Sequence, residues 1–231
     1  MFTSYFCLTK TKLFLLLLLM PVCVMAGGIS LNSTRIIYPQ ELKQSSVTVR
    51  NTDDKTTFLV QSWVENSDGS KSRDFIVTPP LYTSAPGNEN ILRLMFHGNA
   101  LPTDRESLYY FNTKAIPSVD KQALDDKNIL ILAAVTKIKL FVRPTGLKPS
   151  IEDAPNKLTF SREGVQLKIS NASPYFLTLT DIIAGDQTLE SVMVPPMGEV
   201  LQKVPSGIRK ISYSTINDYG AITPTRHVIL K

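Results

Sequence analysis

The chain has 231 residues, 43% of them hydrophobic and 19% charged, which is too apolar for a disordered chain and enough for one or two compact cores. The formal net charge of +5 includes Lys10 and Lys12, so the chain beyond residue 26 carries +3. Its basic residues are scattered rather than gathered into the aromatic-laced patch of a nucleic-acid binder, and nucleic acid is not an expected partner.

In chain order, residues 1–26 come first. Lys10 and Lys12 precede an apolar block over 13–20, and Val24, Met25 and Ala26 stand where a signal peptidase reads, which predicts a secretory signal peptide cleaved after Ala26. The block is shorter than the ~20 apolar residues of a spanning helix, and no later segment is long enough, so the mature chain is expected to be exported without membrane insertion. Cys7 and Cys23 both lie in the removed segment, which leaves the mature chain no disulfide and makes its stability a matter of packing.

Short β-like runs follow: the opening stretch after residue 27, then 46–51 (SVTVRN), 57–66 (TFLVQSWVEN), 73–79 (RDFIVTP), 90–96 (NILRLMF) and 107–116 (SLYYFNTKAI). Asp53-Asp54, Asp68-Gly69, Pro79-Pro80, Pro86-Gly87 and Pro117-Ser118 punctuate them. After Arg143-Pro144, residues 147–157 (LKPSIEDAPNK) read as a linker, and a second set of runs continues to the end: LTFSREG, VQLKISN, YFLTLTDI, TLESVMV, EVLQKV, KISYSTIND and RHVILK. The pattern predicts an all-β chain of two immunoglobulin-like sandwiches, 27–145 and 146–231. A single large barrel is the competing architecture, and the Pro-containing linker weighs against it.

Catalytic spacing is missing. The two histidines, His97 and His227, sit in no nucleophile or metal motif, and there is no Gly-x-Ser-x-Gly elbow, phosphate-cradling glycine loop or His-Glu-x-x-His. A carboxylate-based glycosidase needs only two acids that can lie far apart in the chain, so no spacing identifies one. No enzyme, cofactor or metal is expected.

Residues 129–144, ILILAAVTKIKLFVRP, stand out because a run apolar on both faces passes into a row of cations. Buried charges must be paired or carry a large desolvation cost, so something should meet Lys137, Lys139 and Arg143. Two-residue periodicity puts those three with Phe141 on one face and Ile138, Leu140 and Val142 on the other. Residues 129–135 carry no Pro, Gly or charge to blunt an edge, and such a strand is either a buried central one or an exposed edge meant to be paired.

These residues resemble a known family, the periplasmic pilus-assembly chaperones typified by PapD, and most nearly those of type 1 fimbriae. The resemblance covers essentially the whole mature chain and rests on GGISLNSTRIIYP (27–39), FLVQSWVENSDG (58–69), FIVTPPL (75–81), LPTDRESLYYFNTKAIPS (101–118), TKIKLFVRP (136–144), NASPYFLTLT (171–180), VPPMGE (194–199) and TINDYGAITP (215–224). It implies two immunoglobulin-like domains in a boomerang with a cleft between them. It also implies a chaperone that fills the groove of an incomplete pilus subunit with its own strand and hands the subunit to an outer-membrane usher, where the next subunit's N-terminal extension replaces the lent strand. The lent side chains would be Leu130, Leu132 and Ala134, the last smaller than the bulky aliphatic usual there.

Arg35 and Lys139 fall on the family's two cleft cations, which hold the subunit's C-terminal carboxylate. Glu106, Arg143 and Asp218 fall on its interdomain ion network. Because strict alternation sets Lys139 on the face opposite the donor residues, a bulge or change of twist between positions 134 and 139 is expected; the alternative donor set is Ile129, Ile131, Ala133 and Val135. The segment 116–136 is short and the mature chain has no cysteine, which matches the branch that builds rod-like pili rather than the branch with a longer, disulfide-bearing loop. A free chaperone of this kind is expected to cap its bare edge with a second copy. The rival readings are a secreted two-domain adhesion or carbohydrate-binding module and a carboxylate-dependent hydrolase.

Overall fold

The computed structural model describes residues 27–119 and 130–230. The expected signal peptide and both cysteines lie outside the described residues, as do Ile129 and most of the loop on which the branch reading rests. Seventeen strands run in the order β1 (Ile29–Leu31), β2 (Arg35–Pro39), β3 (Ser45–Asn51), β4 (Phe58–Asn66), β5 (Phe75–Thr78), β6 (Leu81–Ser84), β7 (Glu89–Phe96), β8 (Ser107–Pro117) and β9 (Ala134–Arg143), followed by β10 (Leu158–Glu163), β11 (Gln166–Asn171), β12 (Leu177–Ala184), β13 (Gln187–Leu189), β14 (Val192–Val194), β15 (Gly198–Lys203), β16 (Lys210–Thr215) and β17 (Arg226–Ile229).

The first nine strands form two sheets, β1-β3-β7-β5 and β2-β9-β8-β4-β6, and the remainder forms β10-β11-β15 and β13-β12-β16-β17 with β14 also on β12. Alternation fixes which side chains turn inward. Val47 and Val49 on β3, Val60 and Val64 on β4, Leu92 and Leu94 on β7, Phe111 on β8, and Leu140 and Val142 on β9 make one core. Leu167 and Ile169 on β11, Leu179 and Ile182 on β12, and Ile211 and Tyr213 on β16 belong to the other.

Two expected runs, the opening stretch and TLESVMV, prove to be pairs of strands, and β6 lies outside every expected run. Pro79-Pro80 separates β5 in the first sheet from β6 in the second, because proline cannot donate to a ladder and the chain changes sheets there. The opening stretch divides likewise: β1 pairs with β3 in one sheet, and β2 joins β9 in the other. The run TLESVMV splits into β13 and β14, which pair with different parts of β12. Residues read as a linker are partly docked: a 3-10 turn at Ala154–Lys157 buries Ala154 and Pro155, and Leu147 and Ile151 pack on the second core.

In each sandwich an asparagine takes an inward position at the end of a strand. Asn51 follows Val47 and Val49 in phase, and its amide donates to the carbonyls of Thr56, Ser84 and Ala85. Asn171 follows Leu167 and Ile169 and donates to Tyr175 and Pro195 while accepting from Ser173. A buried amide whose groups are satisfied this way ties loops to the core instead of penalising it.

Candidate functional site

Strand β9 organises the site. It pairs with β8 in one uninterrupted antiparallel register from Ala115↔Ala134 to Ser107↔Val142. The bulge expected between positions 134 and 139 is absent, and none is needed. Alternation alone sends residues 134, 136, 138, 140 and 142 toward the first core and 135, 137, 139, 141 and 143 to the opposite face.

That opposite face looks at the second sandwich. The Lys139 ammonium donates to Thr178 Oγ1 at 3.2 Å, the Phe141 ring lies 5.6 Å from that of Phe176, and Arg143 reaches Asp218. Lys139 and Arg143 are met by the other domain, and Lys137 by Glu65 of its own sandwich, in line with the desolvation argument.

The other side of β9 is divided. Strand β2 runs parallel to it from Arg35↔Lys139 to Pro39↔Arg143 and goes no further back, because the chain arrives from β1 in the other sheet. Ahead of Lys139, β9 is hydrogen-bonded to β8 only, so its other edge has no partner among the described residues. Leu130 and Leu132 just before the strand are 81% and 73% exposed, against 44% for Ile131, and Ala134 is exposed as well. The side chains on the track of the first core are thus the barest ones, while Ile129 of the alternative set lies outside the described residues.

Where the unpaired edge ends, Arg35 and Lys139 stand side by side in register. Arg35 Nη1 donates to the Ile216 carbonyl at 3.3 Å, and its buried Nε has no hydrogen-bond partner. Neither cation is ion-paired among the described residues. Burial, reinforced by the charge of Arg35, holds the Lys139 ammonium below its ordinary pKa, and burial likewise lowers that of Arg35. Two desolvated cations with spare donors make a receptor for a carboxylate.

A few residues along, Arg143 bridges the domains. Its Nε donates to Glu106 Oε1 at 2.7 Å, and its two terminal nitrogens take both oxygens of Asp218 at 2.5 and 2.8 Å. Glu106 is 3% exposed and accepts from the Phe176 amide at 2.8 Å. Burial opposes the charge on Arg143, but the hydrogen bonds to Asp218 and the charges of both acids outweigh it and raise its pKa. Burial pushes Glu106 up despite the nearby guanidinium. The Tyr175 ring lies 5.1 Å from the guanidinium carbon of Arg143. A cavity of about 350 Å³ beside this network is walled by Arg35, Phe141, Arg143, Phe176 and Asp218 among others. At Gly220, with φ of +83°, the hairpin after β16 comes against Thr34, and a Cβ there would run into the Thr34 hydroxyl.

The expected groups, Arg35 with Lys139, and Glu106 with Arg143 and Asp218, are each brought together. Sequence reasoning missed Thr178, Tyr175 and Phe176, whose alternating positions on a core strand or turn carry no functional signal. It also missed a cluster on the outer face of β9 in which Glu65 accepts from Lys137 and from the indole of Trp63.

Residues 28–148 match the family described as pili and flagellar-assembly chaperone, PapD N-terminal domain, and residues 153–227 match the C-terminal domain of the pili assembly chaperone PapD. The chain belongs to the PapD family of pilus-assembly chaperones. It is 45% identical to the probable fimbrial chaperone SfmC of Escherichia coli strain K12 over 229 residues, covering 97% of this chain and 100% of that one. To the chaperone protein FimC of the same strain it is 48% identical over 200 residues, 86% of this chain and 83% of that one. The crystal structure of the periplasmic chaperone SfaE is similar with a TM-score of 0.77 at 44% identity, covering 87% and 100% of the two chains. The SafB chaperone of Salmonella enterica, solved in complex with SafA pilin, gives 0.79 at 28% identity over 90% and 99%.

Proposed function

We propose that this protein works in the periplasm, without catalysis or cofactor, by lending β9 and the residues before it to fimbrial subunits and passing them to an outer-membrane usher. The observation that carries this reading is a strand edge that has no partner among the described residues and ends at two desolvated cations with no ion pair among those residues. Strand addition to such an edge is an established recognition mode, in which backbone pairing gives affinity and alternate side chains give register, and chaperone–pilin pairs are among its known examples. A subunit strand whose terminal carboxylate sits at Arg35 and Lys139 can only extend back along residues 138–130. It therefore takes the track that β2 leaves empty and runs parallel to β9. Leu130, Leu132 and Ala134, on the track of the first core, then enter the subunit's apolar groove. Arg143, Glu106 and Asp218 hold the angle between the domains at which both walls of the cleft reach the carboxylate. A second copy of the chain is the natural cover for the edge when no subunit is present.

Co-purification of a fimbrial subunit from the periplasm tests the reading. Charge-assisted hydrogen bonds contribute about 1.5–3 kcal/mol each, so Lys139→Ala and Arg35→Ala should each lower the recovered complex by roughly tenfold or more. A subunit retained equally by both variants would show that the strand alone holds it. No subunit with the wild type would favour the adhesion-module reading.

A further inference from the structure

We infer that Glu65, acting through Lys137, is a positioning residue that holds the bare half of β9 in strand form before a subunit arrives, an inference that rests on the strand-addition reading above. Ahead of Lys139, β9 has β8 as its one neighbour among the described residues, and residues 131–137 are exposed. A strand held along one edge frays, and the order it lacks in the free protein must be supplied when a partner strand is added. Lys137 ties this half to a strand further in. The sheet runs β2-β9-β8-β4-β6, so β4 lies beyond β8. Asn112 on β8 stands opposite both Lys137 and Trp63, and Tyr110 stands opposite both Lys139 and Glu65, which sets Lys137 and Glu65 diagonally across β8. The Lys137 ammonium spans that gap, lying 4.5 Å from the centre of the Tyr110 ring and donating to Glu65 Oε2 at 2.7 Å. Trp63 Nε1 donates to Glu65 Oε1 at 2.8 Å, so both carboxylate oxygens are held. The hydrogen bond from Lys137, followed by that from the indole, keeps Glu65 below the usual carboxylate range, and it stays ionised.

All of these contacts lie on the β8 side of β9. The ammonium is turned away from the free edge, whose backbone donors and acceptors stay open to an added strand. The backbone ladder fastens this half of β9 to β8, and the bridge fastens it to β4, which is itself paired on both sides by β8 and β6. Among the described residues it is the one side-chain hydrogen bond made by residues 134–138. An ion pair over an aromatic ring, with the acid 17% exposed, is less screened than a pair wholly in water. Order already present in the free strand lowers the cost of adding a subunit, so the bridge acts on binding without touching the subunit.

Amide hydrogen exchange in the free protein, joined to co-purification of one fimbrial subunit in competition with the wild type, tests the inference. Glu65→Gln keeps an acceptor for the Trp63 indole and removes the charge that Lys137 meets. It should speed exchange of the β8-bonded amides in 134–138 by about two- to fivefold, leave 139–143 unchanged, and lower subunit recovery by a similar factor. Lys137→Met loses the contact with the Tyr110 ring as well and should do more, up to about tenfold. Lys137→Arg retains a cation for both partners and should stay near wild type. Exchange at 134–138 that is unchanged in Glu65→Gln and Lys137→Met overturns the inference, and so does exchange raised equally along the whole of β9, which would make the bridge a support of the sandwich at large. Faster local exchange with full subunit recovery also overturns it, and leaves strand addition intact as long as Lys139→Ala loses the subunit. Retention of the subunit by Lys139→Ala at the wild-type level would overturn the strand-addition reading and the inference with it, whatever the exchange pattern.

Discussion

The two halves of β9 obey one alternation in opposite surroundings. From Lys139 to Arg143 the strand is central, between β8 and β2, with Leu140 and Val142 fully buried. Before Lys139 it has, among the described residues, β8 on one side only, and Leu130, Leu132 and Val135 are bare. On the core track the residues stay aliphatic across the boundary, Leu130 and Leu132 before it and Leu140 and Val142 after it. What changes is whether a neighbouring strand exists, and that is decided where β2 begins, at a position far away in the chain. An apolar residue is thus a core residue in one half and exposed in the other, where the proposed function gives it a partner's groove to fill.

The largest effect should come from cutting the buried half loose from the second domain. Arg143→Ala would leave Glu106, one of the most buried acids in the molecule, facing no cation, and would remove both hydrogen bonds to Asp218. Breaking one partner of a buried pair costs about 3–5 kcal/mol. Urea unfolding followed by fluorescence should show that loss, and small-angle scattering should show a changed domain angle. Wild-type stability with an unchanged scattering profile would mean the bridge is dispensable.

Much of this was readable in the sequence, and the reasons are specific. Two-residue periodicity gave most strands because each sheet buries one face, and the quoted motifs singled out Arg35, Lys139 and the three network residues. The sheet switch at Pro79-Pro80 was punctuated but its direction was not, since a break does not say which sheet receives the next strand. The inward asparagines Asn51 and Asn171 were in phase with apolar residues, a pattern that marks a satisfied buried amide only when loop carbonyls lie near. The expected bulge was an error of a different kind. It assumed that donors and anchor must share a face, whereas Ala134 is in phase with the first core and Lys139 faces the other domain, so the proposed donors need no bulge. Thr178 and the Trp63–Glu65–Lys137 cluster depend on contacts between distant strands, which local pattern does not carry.

A paired truncation sharpens the comparison within the strand. Leu140→Ala removes a side chain that is 0% exposed and should cost about 2–5 kcal/mol in unfolding free energy. Leu132→Ala, with that residue 73% exposed, should change the stability of the free protein by no more than about 0.5 kcal/mol while weakening subunit retention. Similar losses at both positions would show that residues 130–133 are already covered in the free protein.

The mildest effect falls on the boundary itself and appears as a pH dependence. In the free protein burial, then the charge of Arg35, holds Lys139 below the ordinary lysine value of 10.5. A lysine whose folded pKa is depressed adds stability above its unfolded pKa, and that contribution is lost as pH falls through the folded value, so at neutral pH its charge is a net cost to the free fold. A bound carboxylate reverses the sign by favouring the ammonium. Subunit affinity should therefore be full below the free-protein pKa of Lys139 and decline as pH rises through it, with the decline beginning below 10.5. Lys139→Arg keeps the charge throughout that range and should flatten the profile, because a guanidinium does not titrate there. A wild-type affinity level up to pH 10.5, or the same decline in Lys139→Arg, would assign the anchoring charge to Arg35 alone. The free protein carries that cost because Arg35 and Lys139 have no ion partner among the described residues, and on the reading proposed above the subunit's carboxylate is what would offset it.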